Sequence, residues 1–340
     1  MPESRKLNLK WHHLVLAAIT SIVIVLLALA PLSLGHYYLS VIRTTLMWAA
    51  LTMSWYFFSG LTGYISLGST AFFGTGLYFT ALYLNFSVIE GRWPELPFPV
   101  IVLMAGLLNF GFAFVPGLIS LRLRGIYFAI ATFALGMACQ GIFDYLVTNV
   151  MGTYYTHIPS FNPQMKYYSM LTTTIAVFLI IFLLCKSKLG LALKMIGENE
   201  EAAVHLGVNA NLVKTLGFAI SAMCMGFVGS SYAIIFPVTG PKLAFDLKYS
   251  FLPAIMAMFG GIGTSYGPLV GAVALSLLNE YLGVTLVHYF LIILGVIVII
   301  IAELMPEGIV GFAKKMVVKY SRGKQQGLPE EKSKGLKTPL

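Results

Sequence analysis

The side chains of this sequence that could do chemistry are concentrated in one short polar run, Glu198-Asn-Glu-Glu-Ala-Ala-Val-His-Leu-Gly207. The run lies inside residues 186–213, the longest internal polar interval of a chain that is otherwise almost entirely apolar. The chemistry that these residues favour is non-covalent binding. A carboxylate such as that of Glu201 can form an ion pair with a cation on another protein. A charged helix between two apolar segments therefore indicates a surface that meets a partner in the water phase.

The spacing within this run predicts a helix of two turns. Asn199 is a good N-cap, and the two acids that follow it lie in the first turn, where the helix dipole favours negative charge. Gly207 suits a left-handed C-cap. We expect one face of this helix, formed by Ala202, Ala203 and Leu206, to fit closely into a groove of the partner. A helix lying on the membrane is the alternative, but two alanines offer little area to lipid and the acids disfavour anionic headgroups.

Motifs for energy conversion or metal chemistry are missing from the sequence. The phosphate-binding pattern G-x-x-x-x-G-K-[ST] is absent, so the chain itself is not expected to hydrolyse ATP. The metalloprotease pattern H-E-x-x-H is absent too, and the adjacent His12 and His13 fit a membrane interface better than a metal site. We therefore expect a protein that is not an enzyme and that binds no cofactor or metal of its own.

Composition places most of the chain in a membrane. Hydrophobic residues make up 58% of the 340 residues and charged residues only 10%, whereas soluble domains carry roughly 25% charged residues. A spanning helix needs about 20 apolar residues. We expect an all-α polytopic membrane protein with about ten transmembrane helices, at residues 14–34, 39–58, 64–84, 98–119, 126–147, 168–185, 214–236, 249–262, 268–285 and 287–304.

The predicted organisation has two tails around one transmembrane domain. Residues 1–13 form an N-terminal tail, residues 14–311 the transmembrane domain, and residues 312–340 a charged tail that we expect to be disordered. The first apolar run is too long for a cleaved signal peptide and is read as a span. The three cysteines lie in or at the end of apolar runs, which predicts free thiols.

The distribution of positive charge orients the chain. Of the 22 Lys and Arg residues, seventeen fall in the N-terminal tail, the turn near residue 123, residues 186–214 and the tail that begins with Lys314. The other five fall in segments expected on the opposite side of the membrane. Because basic loops face the cytoplasm, both termini and residues 186–213 are predicted to be cytoplasmic. The net charge of +9 thus indicates membrane orientation and not nucleic-acid binding.

Small residues cluster in two places, Gly60–Leu77 and Gly260–Leu277, each after a span that runs inward. This similarity is a weak indication of an internal repeat. Small residues let helix backbones approach closely in lipid, and they permit broken helices where backbone lines a cavity. The residues that we expect to serve helix packing or a transport pathway are Gly63, Ser66, Gly68, Gly260, Gly261, Gly263 and Gly267.

Acidic side chains inside the predicted spans are few. Asp144, Glu280 and Glu303 all lie near span ends, where water or headgroups reach them, and we expect structural or interfacial roles. A carrier driven by protons or sodium usually needs an acid near the middle of the membrane, and the sequence predicts none there. This argues against a stand-alone secondary carrier.

Five segments, taken in order, resemble the LivM-type permease family of branched-chain amino acid ABC importers. The resemblance extends over about three quarters of the chain. The segments are Gly60-Leu-Thr-Gly-Tyr-Ile-Ser-Leu-Gly68, Leu121-Arg-Leu-Arg-Gly125-Ile-Tyr-Phe-Ala-Ile130, Glu198–Gly207, Gly260-Gly-Ile-Gly-Thr-Ser-Tyr-Gly-Pro-Leu-Val-Gly-Ala272 and Met305-Pro-Glu-Gly-Ile-Val-Gly311.

The resemblance implies a permease in the cell (inner) membrane of a prokaryote. Its expected partners are a homologous permease subunit in a heterodimer, two cytoplasmic ATPase subunits that use ATP and magnesium, and an extracytoplasmic solute-binding protein. The implied ATPase-coupling residues are Glu198, Asn199, Glu201, Ala202, Ala203, Leu206 and Gly207.

Two departures from the family pattern leave the substrate open at this point. Ile126 stands where the family often has an acid, and aromatic residues replace glycines in Gly152-Thr-Tyr-Tyr-Thr-His-Ile-Pro159. Branched-chain amino acids are the first expectation, and urea, short amides or aromatic amino acids are the alternatives. A secondary carrier or a non-transporting membrane scaffold would not explain the ordered motifs.

Overall fold

A computed structural model of the chain describes residues 21–123, 125–285, 295 and 308–311. Three of its helices continue into a five-residue π-helical turn, at Tyr56–Gly60, Asn85–Ile89 and Leu146–Val150. Two short strands pair antiparallel, β1 (Thr156–His157) with β2 (Val238–Thr239). The helices in chain order are α1 (Ser21–Ser33), α2 (His36–Trp55), α3 (Ser69–Leu84), α4 (Phe98–Ser120), α5 (Ile126–Tyr145), α6 (Pro163–Cys185), α7 (Lys188–Glu198), α8 (Glu200–His205), α9 (Ala210–Ala233), α10 (Pro241–Ala244), α11 (Lys248–Gly260) and α12 (Gly267–Thr285).

The described part is a polytopic helical protein, as its composition predicts. Six helices are long and apolar enough to cross a membrane: Ser69–Ile89, Phe98–Ser120, Ile126–Val150, Pro163–Cys185, Ala210–Ala233 and Pro241–Gly260. The predicted second and ninth spans correspond to α2 and α12, and α1 lies within the first. The two tails and all of the tenth predicted span except residue 295 lie outside the described residues, so the count of ten stays a prediction.

The prediction for the start of the third span is wrong. Residues 63–68, which we call the linking segment, are not helical, and α3 begins only at Ser69. Gly63 has a φ of +73°, which residues with a Cβ rarely adopt, so the helical path of α2 cannot continue through it. The linking segment instead satisfies its backbone with side chains from neighbouring helices.

Helix α9 forms the centre of the bundle and packs along much of its length against α3 and α4. The crossing of α3 and α9 is a contact between backbones, because a Cβ at Gly76 would overlap the carbonyl of Gly226. A Cβ at Gly229 would likewise overlap the carbonyl of Phe73. Small residues therefore set the distance between these two helices, as expected for packing in lipid.

The connecting segments gather at two opposite ends of the bundle. At one end β1 and β2 join the connections that follow α5 and α9, and the side-chain amide of Asn85 donates to the carbonyl of His157 at 3.1 Å. At the other end α7 and α8 pack near the linking segment and near Leu121, the C-cap of α4. Segments predicted to share a side of the membrane thus meet in space.

Candidate functional site

The polar interval folds into two consecutive helices, α7 and α8. The Ser187 hydroxyl caps α7 by accepting from the backbone N–H of Gly190, and the Asn199 side chain caps α8 by accepting from the N–H of Ala202 at 3.0 Å. Asn199 has an extended backbone, with φ of −162°, which separates the two helices. The predicted N-cap is therefore present, and it fixes where α8 begins.

Gly207 ends α8 in the predicted left-handed conformation, with a φ of +88°. The N–H of Gly207 donates to the carbonyl of Val204 at 2.9 Å, and the N–H of Val208 donates to the carbonyl of Ala203 at 3.1 Å. These two bonds form a Schellman motif, which satisfies the last free carbonyls of the helix. Capped at both ends, this short helix keeps a defined shape at the surface.

The two sides of α8 differ in exposure. Ala202 and Leu206 are exposed, Leu206 by 73%, together with Glu201 and Val204. Ala203 is 1% exposed and packs inside the chain, so the expectation that it shares an exposed face with Ala202 and Leu206 is wrong. Successive residues of a helix are about 100° apart, and that rotation turns Ala203 inward. We call the exposed side the outer face of α8.

The inner side of α8 contains an ion pair that is nearly closed to water. The Nζ of Lys214 donates to Oε1 of Glu200 at 2.7 Å, and the two side chains are 2% and 19% exposed. The hydroxyl of Tyr64 donates to Oε2 of the same carboxylate at 2.6 Å and accepts from Lys214 at 3.2 Å. The Nζ also lies 4.6 Å from the centre of the Tyr64 ring. We call these three residues the inner clamp.

The inner clamp joins four parts of the chain. Glu200 opens α8, Lys214 lies in the first turns of α9, and Tyr64 belongs to the linking segment. The Nζ of Lys214 also approaches the carbonyl of Leu121, the C-cap of α4, at 3.5 Å. A second contact lies beside the clamp, because a Cβ at Gly197 would overlap the carbonyl of Leu61. The polar interval is thus seated directly on the end of the transmembrane bundle.

The linking segment is held first by side chains of the element before it. The hydroxyl of Ser59 accepts from the N–H of Ser66 at 3.2 Å, and the indole N–H of Trp55 donates to the carbonyl of Ser66 at 2.7 Å. The Ser66 hydroxyl accepts from the N–H of Gly68 at 3.3 Å. These bonds replace the helical bonds that residues 63–68 do not make.

The same segment contacts two further helices through Leu67. Its N–H donates to the hydroxyl of Thr132 in α5 at 3.0 Å, and its carbonyl accepts from the hydroxyl of Ser250 in α11 at 2.7 Å. A Cβ at Gly68 would lie 3.2 Å from the carbonyl of Thr132, so the backbones of α5 and the linking segment are close. Ser66 and Gly68 therefore have packing roles here, and no contact tests a pathway role.

The second glycine cluster forms a tight turn between α11 and α12. A Cβ at Gly260 would overlap the carbonyl of Gly267, and one at Gly267 would overlap the carbonyl of Gly261. Gly261 has a φ of +104°, whereas Gly263 faces open space. Three of these four predicted glycines thus have a structural reason to be glycine, and Gly263 has none among its described surroundings.

The turn also contains the letters G-x-S-x-G, at Gly263–Gly267. In serine hydrolases this pattern places the nucleophile between a strand and a helix. Here both flanking elements are helices, α11 and α12, and the hydroxyl of Ser265 interacts with Tyr56. The local structure therefore gives no support to a hydrolase.

The predicted acids of the spans do not form a site together. Asp144 is exposed near the end of α5, and Glu280 is half-buried in α12. Neither of these two makes an ion pair with the described residues. Glu303 lies outside the described residues.

Sequence reasoning missed Tyr64 and Lys214. The sequence predicts Lys214 as a cytoplasmic cation at the first position of a span, whereas in the structure it lies inside α9 and is 2% exposed. A signal was present, since a single lysine in the first turns of an apolar helix must find a partner if it is buried. No sequence periodicity connects residues 64, 200 and 214, so the partner itself could not be named.

Comparisons with known proteins identify the family of this chain. A family model described as "Branched-chain amino acid transport system / permease component" matches residues 37–302. The high-affinity branched-chain amino acid transport system permease protein LivM of Salmonella typhimurium is 26% identical over 303 residues, covering 79% of this chain and 68% of the relative, and LivM of Escherichia coli gives the same figures. The ribose import permease protein RbsC of Haemophilus influenzae is 27% identical over 128 residues, covering 36% of this chain and 40% of the relative. No solved structure is a significant match.

Proposed function

The chain belongs to the family of branched-chain amino acid transport system permease components and is the permease subunit of an ABC importer, and we propose that α8 is the element through which ATPase subunits drive it. The observation that carries this proposal is the outer face of α8. A capped helix exposes Glu201, Ala202 and Leu206 to water while its other side is fixed to the bundle. This is the form that a docking surface for a cytoplasmic partner requires.

The proposed energy source for transport is ATP hydrolysed by other subunits, because the sequence of this chain has no phosphate-binding loop. ATP and Mg²⁺ would therefore be bound by separate subunits and not by this chain. We propose two such ATPase subunits, which on closing would move α8 as a rigid body. Opening and closing of the pathway would then result from helix bundles rocking against each other.

The second permease subunit has a candidate surface on α5. Only 22% of the most apolar part of Ile126–Val150 is buried, the lowest share among the six candidate spans. We propose that a homologous permease subunit covers this side and that the two chains line the pathway between them.

The remaining assignments complete the proposed importer. We place the chain in the inner membrane of a prokaryote, with ten spans and both termini in the cytoplasm, on the basis of its charge distribution. A solute-binding protein would deliver amino acids at the opposite end, where β1 and β2 fix the outer connections and Tyr154 and Tyr155 are exposed by 74% and 63%.

A stand-alone carrier is the competing class. Glu200 is the least exposed acid among the ion pairs of the described residues, and it belongs to α8 at one end of the bundle and is already paired with Lys214. It therefore offers no proton or sodium site at the middle of the membrane. This geometry favours an importer driven by ATP.

The proposed function is tested in proteoliposomes that contain the complete importer. Leucine uptake and ATP hydrolysis stimulated by the binding protein are measured for the wild type, with urea, acetamide and phenylalanine as competitors. Glu201→Arg and Leu206→Arg should reduce docking of the ATPase subunits, whereas Arg92→Glu, an equally exposed charge change at the opposite end, should not. If both outer-face variants bind the ATPase subunits as the wild type does, α8 is not the docking element. If the importer takes up urea and not leucine, the proposed substrate is wrong.

A further inference from the structure

We propose that Tyr64, Glu200 and Lys214, the inner clamp, are positioning residues that carry movement of α8 into the linking segment and from there into the transmembrane helices. The inference rests on the proposed role of α8 as the coupling helix. It adds the route by which a displacement on the cytoplasmic side enters the membrane domain. Docking residues touch the ATPase, whereas these residues act through α8.

Burial makes the clamp tight. Lys214 is 2% exposed, so its ammonium depends on the carboxylate of Glu200, the hydroxyl of Tyr64 and the carbonyl of Leu121 for the hydrogen bonds that water would otherwise supply. Separating α8 from α9 would leave a charge uncompensated in an apolar region, which is strongly unfavourable. Helix α8 and the start of α9 are therefore expected to move as one unit.

Tyr64 extends this unit to the linking segment. Its hydroxyl bonds both members of the ion pair, and its ring lies under the ammonium. The overlap that a Cβ at Gly197 would make with the carbonyl of Leu61 shows a second contact of the polar interval with the same region. Two independent contacts thus transmit a push or a pull of α7 and α8 to the start of the linking segment.

The other end of the linking segment contacts α5 and α11, two helices of the transmembrane bundle. Leu67 donates its N–H to the hydroxyl of Thr132 in α5 and accepts from the hydroxyl of Ser250 in α11. Because the segment is not helical, its shape depends on these bonds and can change when one end is displaced. Helix α5, whose exposed side we propose for the pathway, is therefore connected to α8 through contacts on its buried side.

The direct test measures amino acid transported per ATP hydrolysed by the complete importer in proteoliposomes. The test variant combines Glu200→Gln with Lys214→Met, which removes both buried charges together so that neither is left unpaired. The matched control makes the same kind of change in an exposed pair at the opposite end, Glu90→Gln with Arg92→Met, whose charged atoms are 2.9 Å apart. We expect the clamp variant to transport about tenfold less per ATP, a usual size for coupling between sites, and the control to match the wild type.

The amount of amino acid transported per ATP hydrolysed distinguishes a positioning role of the clamp from a role in stabilising the fold. A residue that only stabilises the fold changes the amount of assembled complex, so transport and hydrolysis fall together and their ratio stays constant. A wild-type ratio in the assembled clamp variant would therefore overturn the inference. If that variant does not assemble, Tyr64→Phe decides, because it removes one hydroxyl and keeps the ring: a reduced ratio supports the clamp and a wild-type ratio overturns it.

Failure of the proposed function gives a different result. In that case the wild type would not transport leucine, or Leu206→Arg would keep normal ATPase docking. If only the inference about the clamp is wrong, the wild type still transports leucine and Leu206→Arg still reduces ATPase docking. The clamp variant then transports as much amino acid per ATP as the wild type.

Discussion

Two lysine–glutamate pairs lie in or beside the polar interval, and they differ in almost every physical respect. Lys194 and Glu198 are four residues apart in α7, separated by 3.9 Å, and 65% and 72% exposed. Lys214 and Glu200 are fourteen residues apart, separated by 2.7 Å, and 2% and 19% exposed. The first pair is screened by water and salt, whereas the second replaces water for both charges. Proximity in sequence therefore says little about which pair holds α8.

The largest difference is expected when one lysine of each pair is replaced. Lys214→Met leaves the Glu200 carboxylate without its cation and should lower the free energy of unfolding by about 3 to 5 kcal/mol. Lys194→Met should change it by less than about 0.5 kcal/mol. Thermal denaturation of the purified permease in detergent measures both. Equal midpoints for the two variants would remove the distinction between the pairs.

Removing both charges of the buried pair sharpens this comparison. Because the double variant Glu200→Gln with Lys214→Met leaves no uncompensated charge, we expect its denaturation midpoint to lie well above that of Lys214→Met alone. A double-mutant cycle on the four proteins gives the interaction energy. Strict additivity of the two single changes would show that Glu200 and Lys214 do not interact.

A smaller contrast separates two glycines of the polar interval. Gly197→Ala places a Cβ against the carbonyl of Leu61 and should cost about 2 kcal/mol, since the backbone must move. Gly207→Ala meets open space and carries only the strain of a φ of +88°, about 1 kcal/mol. Denaturation midpoints again provide the measurement. A larger loss in Gly207→Ala would mean that the contact with Leu61 is loose.

The smallest effect concerns the cap of α8. Asn199→Ala removes the acceptor of the Ala202 N–H and should cost about 1 kcal/mol, because that N–H is partly exposed and water can replace the side chain. Asn199→Asp should preserve the cap and the denaturation midpoint. If both substitutions lower the midpoint equally, capping is not the reason for the loss.

Local sequence signals predicted the ends of α8 well. Asn199 and Gly207 act through their own and adjacent backbone groups, so residue type and spacing were sufficient. The position of Ala203 was predicted wrongly because exposure depends on where the helix is seated, and the spacing of Ala202, Ala203 and Leu206 alone does not show it. The predicted roles of these residues in ATPase coupling stay predictions.

Contacts between distant segments were beyond the reach of the sequence. Tyr64 and Lys214 meet Glu200 only because α2, α4 and α9 bring their ends together. The two glycine clusters looked alike in sequence, yet one is a segment held by side-chain hydrogen bonds and the other is a turn held by backbone contact. Whether they mark an internal repeat stays a prediction.

One experiment tests most directly whether the outer face of α8 receives the ATPase and its inner side transmits the movement. Leucine uptake, ATP hydrolysis and ATPase docking are measured together for Leu206→Arg and for Glu200→Gln with Lys214→Met. The account predicts that Leu206→Arg loses docking, whereas the clamp variant keeps docking and hydrolysis but transports about tenfold less leucine per ATP. Identical behaviour of the two variants, or normal transport per ATP in both, would contradict it.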